Sequence, residues 1–496
     1  MTAENPTTTG VAKRIVKNSV ALIAAQITIS FGSFLLIISV SRYLDLEGFG
    51  IYSTILTFYV TLEVFASLGF MNYIPREVGR APERASEYLS HSIVSALGAV
   101  MFLLALAHFI APRLGYNSTT VAGIRIAILG LAPAALITIS QSFLIAYEKA
   151  ENITFLNFME ITGRILSSIY LLHLGHGVLS IVTAYCFFRY VSFFCHAFVV
   201  LRQIGRPRWV FDYAFFKHFV KDLAIFSTLV VAGGLFNTIE TLILSMFKGE
   251  TAVGIYNAGY RLVFIWSIIP GSVMNAALPN LSRFYRYSRS QFEALAEKSI
   301  KYLALIAFPL IIGTTVVADD IVLALYGESF GQAAIVLRLL VWSLLPMFWD
   351  DALWRILLAS DDEAFTLRVT VINLFIMAAL CLLLIPPLGY VGASLIVILV
   401  LTLQAGSYAV YTHMHVIKIR YQKVVIRPLL ASLVMGLLAA ALRSRLPLVA
   451  VISISALVYP VAAFSLGAVS WQELISLWRQ VRLKTSYEPD VLKPEV

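Results

Sequence analysis

Apolar runs of about 20 residues recur along the whole chain, divided by short segments where Lys, Arg, Asp, Glu, Gly and Pro gather. At 1.5 Å per residue such a run crosses the roughly 30 Å hydrocarbon layer of a bilayer. The pattern predicts about 14 membrane-spanning helices, at 19–43, 51–73, 89–110, 121–147, 154–172, 178–200, 223–247, 253–278, 299–317, 333–359, 364–385, 391–411, 424–442 and 446–466. The runs are continuous, whereas a membrane β-barrel would show short alternating segments, so the fold class is all-α and polytopic. Residues 1–17 are polar and lead into an apolar run too long for a signal peptide, without a cleavage pattern. The first span is therefore expected to be retained.

Composition agrees: 59% of residues are hydrophobic, 13% are charged, and mean hydropathy is +0.84. Almost nothing remains for a soluble domain. With the N-terminus placed inside, 26 of the 37 Lys and Arg fall on inner segments, and only Arg42, Arg113, Lys248, Arg443 and Arg445 fall outside. That bias predicts cytoplasmic N- and C-termini. The net charge of +9 is then topological, and no nucleic-acid partner is expected. Near the C-terminus Trp471, Leu474, Ile475 and Trp478 fall at i, i+3, i+4 and i+7, the spacing of a helix lying on the inner leaflet. Cys186, Cys195 and Cys381 all lie in spans and are odd in number, which argues against a disulfide framework.

The chain also resembles itself. At an offset of 204, Ser41 meets Ser245, Gly50-Ile51-Tyr52 meets Gly254-Ile255-Tyr256, and Pro75 meets Pro279. Leu174-Gly175-His176-Gly177 also matches Leu388-Gly389-Tyr390-Val391-Gly392 with one insertion. Units six spans apart keep the same orientation. This predicts two parallel six-helix lobes, 1–201 and 202–417, two appended helices in 418–468, and a cytoplasmic tail 469–496. Parallel repeats of this kind are a transporter architecture with substrate at the lobe interface.

Ionisable groups inside spans cost about 2.5–3.5 kcal/mol each to insert, so they face a cavity or a partner. The basic ones are Arg125, Arg164, Arg189, Arg261, Arg338 and Arg355; the acids are Glu63, Glu160, Glu240, Asp350 and Asp351. Glu160 with Arg164, and Asp351 with Arg355, stand at i, i+4 and can neutralise each other. Arg125 and Arg338 lie near span ends and can snorkel. Arg189 and Arg261 sit deeper with no local acid, and Glu63 sits mid-span with no basic neighbour at helical spacing. Arg164, Arg189, Arg261 and Arg355 are therefore the candidate cavity cations, and Glu63, Glu160, Glu240 and Asp351 the candidate ion-coupling acids. Guanidinium groups stay charged when dehydrated and match phosphate oxygens, so the residues point to a transporter for a phosphate-bearing or otherwise anionic substrate. There is no Walker-type loop, and His173 with His176 supplies too few ligands for a metal, so no cofactor is expected.

The stretches Ser41-Arg42-Tyr43-Leu44, Phe49-Gly50-Ile51-Tyr52, Leu68-Gly69, Leu325-Tyr326-Gly327-Glu328-Ser329-Phe330 and Pro387-Leu388-Gly389-Tyr390-Val391-Gly392-Ala393-Ser394 carry a family resemblance. In that order the chain resembles the O-antigen-type polysaccharide flippases of the multidrug/oligosaccharidyl-lipid/polysaccharide exporter superfamily, over nearly its whole length. The resemblance implies movement of a polyprenyl-pyrophosphate-linked oligosaccharide across the bacterial cytoplasmic membrane by alternating access, without catalysis. Its partners would be that lipid-linked oligosaccharide, membrane lipids, and transiently a glycan polymerase and glycosyltransferases. The alternatives are a cation-coupled multidrug exporter or a peptidoglycan-precursor flippase of the same superfamily, and in another class a membrane glycan polymerase. A polymerase needs a site outside the bilayer, and only the connection 318–332, with Asp319 and Asp320, offers one.

Overall fold

The computed structural model describes residues 32–203, 209–419 and 421–469. The described residues form helices joined by short turns, with no strand among them. In chain order they begin α1 (Gly32–Tyr43), α2 (Leu46–Ser67), α3 (Phe70–Arg80), α4 (Ala85–Ile110), α5 (Ser118–Ile128) and α6 (Leu131–Ala146). Next come α7 (Ala150–His173), α8 (Val178–Gln203), α9 (Tyr213–Phe236), α10 (Ile239–Phe264), α11 (Ile268–Tyr287) and α12 (Arg289–Tyr326). The series ends with α13 (Ala333–Leu340), α14 (Leu344–Ala359), α15 (Glu363–Tyr411), α16 (Tyr421–Leu442) and α17 (Leu448–Ser465).

Eleven helices among the described residues are long and apolar enough to cross a membrane, so the chain is a multi-pass membrane protein. The expected count of about 14 is not established by them, for three physical reasons. The predicted span 19–43 is described only from Gly32. Helix α7 carries Glu151, Glu160 and Arg164 and is not among the eleven. Two of the eleven stretches double back on themselves. Gly389, at φ 56°, follows Pro386-Pro387 and folds α15 into two antiparallel arms. The arms are held by Tyr408 Oη donating to the Thr366 carbonyl at 3.2 Å and by Phe365 stacked on Tyr411 at 3.8 Å. Gly249, at φ 74°, does the same to α10, bringing Tyr256 Oη to 3.4 Å from Glu240. A side chain at either φ would meet its own backbone, so glycine fits both turns.

Local chemistry sets the other ends. Asp45, Asn117 and Asp212 cap α2, α5 and α9, each accepting from a backbone N–H of the first turn at 2.7–2.8 Å. The predicted span 51–73 is broken at Leu68-Gly69, both at positive φ, and 223–247 is broken at Asn237-Thr238. The connection 318–332 is not an open loop: α12 runs to Tyr326 and a short 3₁₀ turn, Glu328–Phe330, follows. Helices α16 and α17 pack on α12, where Tyr459 Oη donates to the Leu305 carbonyl at 2.7 Å. The predicted interfacial helix at Trp471–Trp478 lies outside the described residues.

Candidate functional site: a cavity between the two halves of the chain

Helices α2 and α10 form one of the closest crossings in the molecule, and they meet at residues the internal repeat makes equivalent. A Cβ on Gly254 would stand 3.2 Å from the Gly50 Cα and 2.8 Å from the Leu46 carbonyl oxygen. Four further contacts fasten this end. Glu250 accepts from the Asn117 N–H at 3.1 Å and the Thr120 hydroxyl at 2.9 Å. Tyr116 and Ser245 share a 2.7 Å hydrogen bond. Arg42 donates to the Ala324 and Leu325 carbonyls, at 2.7 and 3.0 Å, where the end of α12 leaves carbonyls without helical partners. Phe49 packs edge-on against Phe330, 5.6 Å between centroids.

Further along both helices from the glycine crossing lies a cavity of about 330 Å³. Its first half comprises α1, α2, α7 and α8, supplying Ser33, Tyr52, Thr57, Arg164 and Tyr185. From the second half α10 and the Asn237-Thr238 break supply Asn237, Thr238, Thr241, Asn257, Tyr260 and Arg261. The described lining holds two guanidinium groups, one from each half, and no acid. Arg164 sits 4.0 Å from the Tyr185 ring centroid, a cation–π contact that holds it at the wall. Arg261 has no ion pair or hydrogen bond among the described residues.

The remaining candidates are placed differently. Arg189, expected to be a lone cavity cation, is held by ion pairs with Glu63 at 2.7 Å and Glu160 at 3.3 Å, and donates to Tyr185 Oη at 3.2 Å. Its acids come from α2 and α7, so no helical spacing within α8 reveals them. Glu63 likewise gains its basic partner from another helix. Glu160 is shared between Arg189 and, at 3.7 Å, Arg164. Arg355 is paired with Asp351 one turn away, as the spacing predicts, and donates to Asn275 at 3.0 Å; it is outside the cavity lining. Glu240 is 1% exposed and lines a small pocket of about 30 Å³ with Met377 and with Asn237 and Tyr260, which also line the cavity. One of its carboxylate oxygens has no hydrogen-bond partner. Asp319 and Asp320 are not a free acidic pair: Arg338 and Arg443 hold Asp319 at 2.7 and 2.9 Å, and Arg443 reaches Asp320 at 2.6 Å.

Sequence reasoning missed Tyr52, Tyr185, Asn257 and Glu250. Two signals were present: Tyr185 lies one turn before Arg189, and Asn257 follows directly on the repeated Gly-Ile-Tyr.

The described helices thus make a multi-pass membrane bundle with a polar, cationic chamber between the two halves of the chain. A family described as polysaccharide biosynthesis protein matches residues 39–335, and the chain belongs to that family. Among curated relatives it is 27% identical over 173 residues to the probable flippase AglR of Haloferax volcanii, covering 34% of this chain and 36% of that protein. It is 31% identical over 142 residues to the teichuronic acid biosynthesis protein TuaB of Bacillus subtilis, covering 28% and 29%. The matches thus span about a third of the length of these relatives. In fold, the chain is similar to the lipid II flippase MurJ in an inward closed conformation, at TM-score 0.77 and 14% identity over 93% of this chain and 100% of that one. It is also similar to an inward-facing multidrug resistance MATE family transporter of the MOP superfamily, at TM-score 0.65 and 15% identity over 80% and 98%.

Proposed function

We propose that this protein is a transporter, not an enzyme, that carries a polyprenyl-pyrophosphate-linked oligosaccharide across the bacterial cytoplasmic membrane for surface polysaccharide synthesis. One observation carries the reading: Arg164 and Arg261 approach a single cavity from opposite halves, among hydroxyl, amide and tyrosine side chains and no acids. Two guanidinium groups suit a diphosphate, and the neutral donors and aromatic faces suit sugar rings. A substrate that bridges both halves favours the arrangement in which they converge, and its release lets them part. The lobes are 1–201 and 202–417, with 418–468 appended. Both termini are cytoplasmic, as the basic residues require, which puts the Gly50/Gly254 crossing at the outer face.

Arg189 and Arg355 then serve the fold, each neutralised by its acids, while the coupling ion is read at Glu240. Its unpartnered oxygen faces a pocket large enough for a water or a small cation, against the same α10 segment that carries Arg261. Glu63, Glu160 and Asp351 are each paired with an arginine, whereas Glu240 has none among the described residues. An exporter of cationic drugs would call for acids in the cavity, and a polymerase for free carboxylates outside the bilayer. The cationic lining and the Asp319–Arg443 cluster support neither. Arg261→Ala, at normal abundance, is expected to abolish appearance of the lipid-linked glycan in the outer leaflet. Unchanged translocation would remove the cavity assignment.

A further inference from the structure

A second, larger hollow of about 850 Å³ opens on the flank of the bundle between α2 and α4 on one side and α9 and α15 on the other. It joins the two halves, as the central cavity does, but its character is different: Phe65, Val94, Val220, Leu223, Leu374 and Phe375 make it almost wholly apolar. Along α9 its lining runs from Phe216 to Leu235, about 28 Å of helix at 1.5 Å per residue. Leu235 is two residues from Asn237, where α9 breaks and the wall of the central cavity begins, so the lining of the groove ends beside the lining of the cavity.

The opposite end of the groove is basic. Lys217 stands at i−3 and i−7 to the lining residues Val220 and Ala224, Lys221 at i−3 and i−7 to Ala224 and Thr228, and Arg368 at i−3 and i−7 to Val371 and Phe375. Helical spacing therefore sets all three cations beside lining positions, towards the end of the groove away from Asn237. All three are exposed, and none is in an ion pair among the described residues. Free cations at the mouth of a long apolar channel complement an amphiphile with an anionic head and a hydrocarbon tail.

We infer that this groove is the track for the polyprenyl tail of the substrate, which enters from the cytoplasmic leaflet with its diphosphate first held by Lys217, Lys221 and Arg368. The tail stays between α4 and α9 while the headgroup passes the Asn237 break to Arg164 and Arg261. The inference rests on the flippase reading. It separates the substrate's lipid from bulk phospholipid by where the groove ends, with Leu235 two residues from Asn237 in the cavity wall. A second apolar hollow of about 290 Å³, between Trp266, α12, α16 and α17, has no lining residue within four positions of one that lines the cavity.

The test is photocapture in membranes that hold radiolabelled lipid-linked oligosaccharide. p-Benzoylphenylalanine replaces Val220 or Leu374 in the groove, Thr241 in the cavity, and Ile452 in the second hollow. The groove positions are expected to capture labelled glycolipid about tenfold more than Ile452, the ratio that burial of about two extra methylenes supplies. Capture at Thr241 without an excess at Val220 or Leu374 overturns the groove and leaves the flippase standing; capture at no position overturns both. A second variant, Gly98→Leu, fills the groove from α4, where an added Cβ meets nothing within 4 Å. It is expected to lower translocation about tenfold at unchanged abundance by the same burial arithmetic, and full translocation overturns the inference.

Discussion

Replacing Gly50 by alanine tests whether the crossing of α2 and α10 is the closed end of a transport cycle. A Cβ on Gly50 would stand 2.0 Å from the Glu250 carbonyl oxygen and 2.6 Å from its carbon. Both are backbone atoms, so no side chain can swing aside and the helices must part. Forcing an extra carbon into such a contact costs about 1–3 kcal/mol. If that cost falls on the closed arrangement alone, the ratio of open to closed shifts by about 5–150-fold. Gly254→Ala is milder, with its Cβ at 2.8 Å from the Leu46 carbonyl oxygen. Gly271→Ala on α11 meets nothing within 4 Å and serves as the control.

Thr57 lines the cavity beyond the crossing and reports its opening. In a chain with Cys186, Cys195 and Cys381 replaced by alanine, Thr57→Cys offers one thiol to an impermeant maleimide supplied from the Gly50/Gly254 side. The labelling rate is expected to be highest with Gly50→Ala, intermediate with Gly254→Ala, and unchanged with Gly271→Ala. Should all variants label at the parent rate with normal abundance, the crossing is not the gate.

Arg189→Gln removes the cation shared by Glu63 and Glu160, stranding Glu63 inside the bundle and leaving Glu160 only its 3.7 Å contact with Arg164. Breaking a buried pair in this way costs about 3–5 kcal/mol, so the melting temperature in detergent is expected to fall sharply, while Arg261→Ala leaves it unchanged. Equal melting of the two variants would mean that the Arg189 network does not hold the fold. Glu240→Gln keeps the side chain neutral in its pocket and is expected to retain substrate capture while translocation loses its dependence on the ion gradient. A translocation rate that still follows the gradient would exclude Glu240 as the coupling group.

Much of this architecture was written in short-range pattern. Continuous apolar runs gave helices because nothing else satisfies backbone groups in hydrocarbon. The Asp351–Arg355 pair was visible because i, i+4 neighbours meet on one helix. The repeated Gly-Ile-Tyr marked two positions of unusual importance, yet only the fold shows why they are glycines: the two copies press their backbones together. The motif stretches that carried the family resemblance behave likewise. Ser41–Tyr52 and Leu325–Phe330 lie far apart in sequence, and the structure joins them through Arg42 on the α12 carbonyls and Phe49 on Phe330.

What sequence pattern could not give was which of the deep arginines stays free. Arg189 and Arg261 look alike on their own helices, each apolar-flanked and without an acid one turn away. Their fates diverge through contacts between helices. Near α8 stand Glu63 on α2 and Glu160 on α7, and Arg189 is consumed by them. Near Arg261 stand Tyr52, Asn257 and Tyr260, which can donate to or stack on a guest but cannot neutralise a guanidinium. The neighbouring acid, Glu240, is not in that lining; it stands against Tyr256 and lines the adjoining small pocket. An arginine kept uncompensated in a membrane protein is costly unless its counter-charge arrives with the ligand. On the proposed function, that asymmetry between two similar residues fits the cavity to an anion, with Arg261 the residue on which its binding depends.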